Sequence, residues 1–350
     1  MSMPCFRDWQ SLLRARLRTL LVLGLVVTVV LAVVTETPLR ASATAPAWLH
    51  LGPAGPTAGS VLPPTAEPRA PVLAKRKRHK HRKSQTTAKL MAAGDIASCS
   101  ASGDEATAKL LDTLAGTVVT LGDNAYEKGT ASEFSNCYKP TWGRQKARTR
   151  PAVGNHEYLT SGAAGYFGYF GTQAGIGTQG YYSYNLGAWH VVALNSNCLS
   201  AGGCIAGSPQ ERWLRNDLRR NGAKCTLAYW HHPRFSSGLH GDDPTMAPLW
   251  QALYDDRAEL VLSGHDHDYE RFMPQTADGR LDAKRGIREI VVGTGGRSLY
   301  PLVRNAPNTW IGNDQTYGVL RLTLARGRYS FRFLPVRGGT FTDSGSFRCH

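Results

Sequence analysis

The stretch "TVVTLGDNAYEKG" (residues 117–129) joins an apolar run to a turn, and a tyrosine follows the aspartate of that turn by three residues. The run "TVVTL" is rich in β-branched side chains, which is typical of a buried strand. Gly122, Asp123 and Asn124 are common turn formers, so turn chemistry accounts for them. It does not account for Tyr126, and this residue therefore needs a second explanation.

Four further apolar runs lead into polar residues of the same kinds. The run "LMAA" precedes "GD" (residues 94–95), "PAV" precedes "GNHE" (154–157), "LAYW" precedes "HHP" (231–233) and "LVL" precedes "SGHDH" (263–267). Glycine before a polar residue allows a sharp turn and a close backbone approach. Open α/β sheets bind ligands beyond the carboxyl ends of their strands, so we expect these polar side chains to converge there.

Apolar strands alternate with helical segments over most of the chain after residue 87. The predicted strands are residues 89–93, 117–121, 150–153, 226–230, 260–262 and 287–292, and antiparallel hairpins are predicted at 180–195 and 318–336. The predicted helices are residues 105–114, 212–220 after a capping box at "SPQE" (208–211), and 247–256. This alternation predicts a layered α/β domain built on a mixed sheet.

The polar residues at the strand ends have the character of metal ligands. Carboxylate, amide and imidazole donors without a thiolate suit Mn, Fe, Zn or Ni. Seven donors are too many for one tetrahedral ion, and they suit two ions about 3.5–4 Å apart that share a carboxylate. Asp123, at the middle of the set, is the predicted bridge. The candidates are Asp95, Asp123, Tyr126, Asn155, His231, His265 and His267.

These five blocks, in this order, resemble those of the calcineurin-like metallophosphoesterases across essentially all of residues 88–350. The resemblance implies a four-layer α/β sandwich with two mixed β-sheets. It also implies a dinuclear metal site that hydrolyses phosphate esters. Two cations favour in-line attack by a metal hydroxide on such an ester.

One departure from the common pattern points to a branch of that family. Many members carry Asp-x-His in the first block, whereas here Ala97 occupies the place of the histidine. Purple acid phosphatases lack the same histidine and carry a tyrosine three residues after the bridging aspartate, where this chain has Tyr126. The alternative role for Tyr126 is core packing. The resemblance implies one metal held by Asp95, Asp123, Tyr126 and His267, and a second held by Asp123, Asn155, His231 and His265.

A phenolate ligand favours a ferric ion, so the expected cofactors are Fe(III) and a divalent Fe, Zn or Mn. The predicted activity is that of a secreted, acid-phosphatase-like phosphomonoesterase. A phosphodiesterase or nucleotide hydrolase that uses the same site is the alternative, because the metals and their ligands contact only the phosphate.

Two histidines are candidates for direct catalytic roles. His156 resembles the phosphate-contacting histidine of the family. His240 follows His231 by nine residues on a Gly-containing loop and is the predicted general acid. An exposed loop histidine is the alternative reading of His240. His232 competes with His231 in its block, but it is expected to face the core or to lie behind the ligands.

Other side chains in these blocks have supporting roles by default. Glu157, Asp266 and Arg271 are expected to orient the ligands or to support the structure.

Two other functional classes compete with this prediction. His265, His267 and Asp268 suggest a metallo-β-lactamase-type hydrolase, but that family expects a histidine where Tyr269 stands. A non-catalytic cell-surface binding protein is the second rival. The complete set of seven ligands argues against it.

The N-terminal segment resembles an export signal. Arg14, Arg16 and Arg18 precede an apolar run at residues 20–34, and "ASA" (41–43) offers a cleavage site, so residues 1–43 read as a signal peptide. The run is shorter than the ~18–20 residues that span a bilayer, which favours cleavage. An uncleaved anchor is the alternative. We therefore expect a secreted protein or one at the extracytoplasmic cell surface.

Residues 44–87 are rich in Ala, Pro, Gly and Thr and are predicted to form a disordered linker. They include a basic run from Lys75 to Lys83 that could contact an anionic cell surface, with a solvated spacer as the alternative. Residues 1–87 hold 13 Lys or Arg against three acidic side chains, a net +10 of the chain's +15. The predicted catalytic domain, residues 88–350, is thus only mildly basic, and no specific nucleic-acid binding is expected.

The cysteines agree with export. Six cysteines follow Cys5, an even number that is typical of disulfides formed in an oxidising compartment. Cys198 with Cys204 is the first predicted pair, and Cys349 is expected to hold the C-terminal tail.

Overall fold

The computed structural model describes residues 87–350. The predicted signal segment, and the linker up to residue 86, lie outside the described residues. Within residues 87–350, no helix is long and apolar enough to cross a membrane.

Strands are the main elements of the described part of the chain. They are β1 (Ala88–Ala93), β2 (Thr117–Leu121), β3 (Thr149–Ala152), β4 (Tyr182–Leu186), β5 (Trp189–Ala193), β6 (Cys225–Tyr229), β7 (Leu260–Ser263), β8 (Tyr269–Phe272), β9 (Arg288–Val292), β10 (Thr309–Asn313), β11 (Gly318–Ala325), β12 (Arg328–Pro335) and β13 (Ser344–Arg348).

Helices connect many of these strands. They are α1 (Gly103–Asp112), α2 (Ala131–Glu133), α3 (Asn155–Tyr158), α4 (Ala164–Phe170), α5 (Pro209–Arg220) and α6 (Ala247–Asp255). Shorter 3-10 turns are Trp142–Arg148, Ser161–Ala163, Gly171–Ala174 and Pro244–Met246, and a π turn, Phe134–Tyr138, follows α2.

The strands form two mixed sheets, as the sequence predicts. The first sheet has the order β13-β12-β11-β1-β2-β3, in which β1, β2 and β3 run parallel. The second has the order β10-β8-β9-β7-β6-β5-β4, in which β5, β6, β7 and β9 run parallel. Parallel strands end at the same edge of their sheet. The amide of Gly94, after β1, donates to the carbonyl of Val292 in β9 at 2.9 Å, so the carboxyl ends of the two sheets meet.

Alternate side chains of the second sheet enter two different hydrophobic clusters. Leu227 and Tyr229 of β6 belong to a cluster shared with the first sheet, whereas Ala228 belongs to a cluster with α5 and α6. Leu214 of α5 and Trp250 of α6 are fully buried in that outer cluster. This period-two pattern, with helices outside the sheets, confirms the predicted four-layer α/β sandwich.

The predicted helices occur with shifted ends. The helix expected at 105–114 begins two residues earlier, at Gly103, and the helix after Ser208 begins at Pro209. The Ser208 side chain accepts from the amide of Glu211, but the Glu211 carboxylate accepts from Gly207, at 3.0 Å, instead of from Ser208. Only one half of the predicted capping box therefore forms.

Three disulfides lie within the described residues. They are Cys99–Cys137, Cys198–Cys204 and Cys225–Cys349. The pair predicted first is present, and Cys349 ties the C-terminal tail to the start of β6, as expected. The loop between Cys225 and Cys349 is 124 residues long, so this bridge restricts the unfolded chain most.

Candidate metal centre

The backbone is strained where the strands end. Asp95, Asp123 and His265 have φ angles of 61°, 47° and 71°, in the left-handed region that non-glycine residues seldom adopt. The sequence predicts that the preceding glycines take up the turn, but only Gly122, with a φ of 87°, has a positive angle. The predicted ligands themselves carry most of the strain, which is common at functional sites and costs about 1–3 kcal/mol each.

The glycines are needed for close approach. A Cβ on Gly122 would lie 2.5 Å from Nδ1 of His231. A Cβ on Gly154 would lie 2.0 Å from Oδ1 of Asp123. Any side chain at these positions would therefore displace a predicted ligand.

One group of predicted ligands surrounds Tyr126. Its hydroxyl lies 3.0 Å from Oδ1 of Asp95, 3.0 Å from Oδ2 of Asp123 and 3.2 Å from Nε2 of His267. Burial, together with the two carboxylates, raises the pKa of Tyr126 well above its usual value. These surroundings keep the side chain a neutral phenol until a cation offsets the carboxylates.

A second group surrounds His231. Its Nε2 lies 2.9 Å from Oδ1 of Asn155, 3.2 Å from Nδ1 of His265 and 3.4 Å from Oδ2 of Asp123. Oδ2 of Asp123 also contacts Tyr126 in the first group. Asp123 thus stands between the two groups, in the position predicted for a bridging carboxylate.

The charges of the two groups are compatible with bound cations. Burial disfavours ionisation of Asp123, but the imidazoles of His231 and His156 hold the pKa of its carboxyl well below the usual range. Burial likewise favours neutral His231, yet Asp123 raises the pKa of His231 to about 9. A proton on the ring of His231 balances the carboxylate, and a metal ion at Nε2 would replace it.

The donors fit such ions. Single donor atoms from Asp95, Asp123 and His231 lie within 4.8 Å of one another, and all three residues are buried. Oxygen and imidazole donors suit Fe, Zn or Mn, and none of these seven residues is a thiol. All seven sequence-predicted ligands therefore belong to one connected cluster.

Polar contacts at Nδ1 orient two of the predicted histidine ligands. Nδ1 of His231 lies 2.8 Å from the carbonyl oxygen of Leu121, and Nδ1 of His267 lies 2.8 Å from Oγ of Ser298. Such contacts fix the ring and leave the other nitrogen for a metal. Sequence reasoning overlooked Ser298, although it follows the predicted strand 287–292 and a glycine, the same pattern that marks the other blocks.

Tyr300 belongs to the same overlooked segment. Its ring stacks on the ring of His267 with centroids 4.0 Å apart and planes 8° apart. It also lies 5.8 Å from the ring of His240. The segment after β9 thus forms a further wall of the centre.

Glu157 ties two of the blocks together. Its buried carboxylate accepts from the amides of Gly154 and Asn124 at 2.7 Å, of Asp123 at 3.1 Å and of Ala125 at 3.2 Å. Burial and the charge of Asp123 raise the pKa of Glu157 to about 7. The expected supporting role is therefore that of a clamp on the turn that carries Asp123.

Asp266 and Arg271 do different work. Asp266 accepts from the amides of His240 at 2.8 Å and Gly241 at 3.2 Å, so it holds the loop that carries His240. Arg271 pairs with Asp343 at 2.6 Å, and this pair supports the structure away from the ligands.

The two candidate catalytic histidines lie at the rim. His156 is 29% exposed, and its Nε2 lies 3.8 Å from Oδ2 of Asp123. Its Nδ1 lies 2.6 Å from the carbonyl oxygen of Glu127. His240 is exposed, and its ring centroid lies 4.3 Å from that of His265.

His232 lies beside two of the predicted ligands. Its ring centroid is 4.4 Å from that of His265 and 4.9 Å from that of His231. The residue is half-buried, so part of its surface is exposed to solvent. The adjacent position along the chain brings it to the same strand end as His231.

Comparison with known proteins agrees with this geometry. A family model described as calcineurin-like phosphoesterase matches residues 88–269. An uncharacterized protein of Mycobacterium tuberculosis is 28% identical over 207 residues, which cover 47% of this chain and 39% of that protein. Probable purple acid phosphatase 20 of Arabidopsis thaliana is 32% identical over 132 residues, which cover 35% of this chain and 30% of that protein. The chain thus spans less than half the length of these relatives.

A solved structure supports the fold. A purple acid phosphatase from seeds of yellow lupin (Lupinus luteus) matches with a TM-score of 0.60 and 18% identity, over 75% of this chain and 54% of that one. The sequence relatives confirm the predicted resemblance to purple acid phosphatases, and this match shows that the fold is shared.

A second buried carboxylate supports two of the ligand blocks. Glu289 in β9 accepts from the amides of Arg234 at 3.0 Å and Phe235 at 2.9 Å, and from the hydroxyl of Ser263 at 2.9 Å. Burial raises its pKa from 4.5 to about 8. It thus links the segment after His231 to the strand end before His265.

We predict that Glu289 makes folding stability fall as the pH rises. Because folding raises its pKa from 4.5 to about 8, its contribution is fully present below pH 4.5 and is lost as the pH rises through 8. Between pH 5 and 8 the free energy of unfolding of the wild type should therefore decrease with pH more steeply than that of Glu289→Gln. The difference between the two slopes is at most about 1.4 kcal/mol per pH unit. Urea unfolding of the metal-free protein measures this difference.

The matched control is Glu105→Gln, because the Glu105 side chain is 39% exposed on the surface. It should follow the wild type over that pH range. Parallel pH profiles for Glu289→Gln and the wild type would contradict the prediction.

Proposed function

The chain belongs to the calcineurin-like phosphoesterase family, and from that premise we propose that it is a metal-dependent phosphomonoesterase of the purple acid phosphatase type. The position of Tyr126 carries this proposal. Its hydroxyl lies 3.0 Å from carboxylate oxygens of both Asp95 and Asp123. A tyrosine packed against the core, such as Tyr182, contacts uncharged groups, a carbonyl and a hydroxyl, whereas a hydroxyl between two buried carboxylates is suited to a cation.

The proposed ligand sets follow the two groups of donors. Asp95, Tyr126 and His267 would hold the first ion, Asn155, His231 and His265 the second, and Asp123 both. When bound, two such ions would neutralise the phosphoryl oxygens and lower the pKa of water to about 7. We propose Fe(III) at the phenolate and a divalent Fe, Zn or Mn at the other position.

His156 is the proposed phosphate contact. The carbonyl of Glu127 fixes its Nδ1, and its backbone amide donates to Oδ1 of Asp123 at 2.9 Å. Its Nε2 is left near Asp123 at the partly exposed edge of the centre. A protonated ring there would donate to a phosphoryl oxygen and stabilise the charge that develops during hydrolysis.

His240 is the proposed general acid. Asp266 holds its backbone, and its ring packs on His265 at the exposed side of the second ligand group. An alcohol that leaves the phosphate on this side needs a proton, and an exposed imidazole can exchange one with water.

Export is also part of the proposal. Three disulfides lie within residues 87–350, which supports an oxidising compartment. The signal peptide, and the contact of the basic run from Lys75 to Lys83 with an anionic surface, stay predictions because both lie outside the described residues.

We predict chelator-sensitive hydrolysis of p-nitrophenyl phosphate that depends on Asp123. Asp123→Asn removes the shared carboxylate charge, which is worth several kcal/mol of transition-state stabilisation, so kcat/KM should fall about 10³-fold or more. Release of p-nitrophenol measures this effect. The same assay with bis(p-nitrophenyl) phosphate gives the rate for a diester.

Asp278→Asn is the matched control, since that side chain is 61% exposed and distant from the ligands. It should keep full activity. Faster turnover of the diester would favour the phosphodiesterase alternative, and metal-loaded wild type that turns over neither ester would refute the proposed activity.

His240→Ala should slow hydrolysis most when the leaving alcohol is a poor one. Loss of a general acid costs about 10²–10⁴-fold in kcat for an alkyl phosphate, and much less for a p-nitrophenyl ester, whose leaving group needs little protonation. Rates for a series of phosphomonoesters measure this dependence. Leu239→Ala, at the adjacent exposed residue, is the control. An equal loss for all leaving groups would exclude this role for His240.

Tyr126→Phe should remove a visible absorption band. A phenolate bound to a ferric ion gives charge-transfer absorption, and phenylalanine offers no oxygen to the metal. The spectrum of the as-isolated protein, with metal quantification, tests this prediction. Stoichiometric metal without such a band, unaltered by the substitution, would overturn the ferric assignment but not the dinuclear one.

A further inference from the structure

We propose that His232 supplies a fifth protein ligand at the second metal position, beside Asp123, Asn155, His231 and His265. This inference rests on the proposed dinuclear function and extends it. The sequence offers His232 only as the competitor of His231, which fills the expected ligand position.

The imidazoles of three histidines converge at this position. His231, His232 and His265 each offer one ring nitrogen, and these atoms lie within 4.8 Å of one another. Nε2 of His231 and Nδ1 of His265 are 3.2 Å apart, within hydrogen-bonding distance, and a cation bound to both nitrogens would replace that hydrogen bond. His232 thus belongs to a cluster of three histidines, and the other two are predicted ligands.

The hydrogen bonding of His232 repeats that of the predicted ligands. Its Nδ1 lies 2.7 Å from Oγ of Ser196, just as Nδ1 of His267 lies 2.8 Å from Oγ of Ser298. Ser196 Oγ accepts the backbone amide of His232 at 3.0 Å and keeps a second lone pair for Nδ1–H. When Nδ1 carries the proton and donates to Ser196, Nε2 keeps a free lone pair, and metal binding at Nε2 would select this tautomer.

His190 shows how a structural histidine differs. It is buried, and both of its ring nitrogens are engaged: Nε2 by Asp217 at 2.7 Å and Nδ1 by Asn221 at 2.8 Å. Within residues 87–350, no hydrogen bond engages Nε2 of His232. One anchored nitrogen leaves the other available to a metal, and the cluster with His231 and His265, to which His156 does not belong, relates His232 to the second position.

A fifth protein donor has two consequences. It makes the second position rich in nitrogen, which favours Zn or Fe(II) over Mn. The coordination that these donors do not supply would be left to water or substrate. Asp123, Asn155 and three imidazoles would together hold the ion more tightly than four donors.

The test is metal affinity in the full-length chain. Isothermal titration with Zn²⁺, and metal content after dialysis against graded chelator, should show two ions in the wild type. His232→Ala should bind the second ion about 100-fold more weakly while the first ion is retained. Ser196→Ala removes only the hydroxyl that contacts Nδ1 of His232, and it should weaken binding of the second ion about tenfold. Imidazole added to His232→Gly should restore part of the lost affinity.

His350→Ala is the control, because Nε2 of His350 lies 3.4 Å from Oε2 of Glu259, which is not one of the predicted ligands. Circular dichroism and retention of the first ion exclude misfolding of the variants. Second-ion affinity in His232→Ala within twofold of the wild type would overturn the assignment of His232. Wild type that binds fewer than two ions would instead refute the dinuclear centre itself.

Discussion

The buried charge of Asp123 is the constraint on which the site depends. Its side chain is almost fully buried where the two sheets meet, between Tyr126 on one side and His231 on the other. A carboxylate in such a place is costly unless positive charge compensates it. The strained backbone at Asp123 and the glycine beside it hold this carboxylate in place, and bound cations would provide the compensation.

The surrounding hydrogen bonds keep the loops in register around that charge. Glu157 clamps the turn of Asp123 to the block of Asn155, and Glu289 links the segment after His231 to the end of β7. Each of these buried carboxylates accepts at least two backbone amides, so each joins segments that are distant in sequence. The strand ends alone would bring the ligands near one another, and these clamps fix their directions.

Much of this arrangement could be predicted from the sequence because strand ends are local signals. An apolar run that leads into polar residues marked six of the seven predicted ligands, with a glycine in every block except that of His231, and the spacing of Tyr126 after Asp123 marked the seventh. The left-handed conformations of Asp95 and His265 could not be predicted, because they depend on contacts with other strand ends. Asp95 Oδ2, for example, accepts the amide of His265, 170 residues later, at 2.8 Å.

The parts that were missed lie where no local pattern distinguishes the alternatives. Ser298 and Tyr300 act through His267, from which they are separated by β8 and β9. The sequence named His231 as the ligand and His232 as its competitor, and the packing of His232 on His265 shows that both approach the centre. The half-formed capping box at Ser208 differs from the prediction because Glu211 accepts from the amide of Gly207, one residue before the cap.

The central claim, that Asp123 joins two cations, is tested most directly by anomalous X-ray diffraction from crystals of the metal-loaded protein. The account predicts two anomalous peaks per chain, about 3.5–4 Å apart, with the carboxylate of Asp123 between them. A single peak, or two peaks that Asp123 does not bridge, would contradict it.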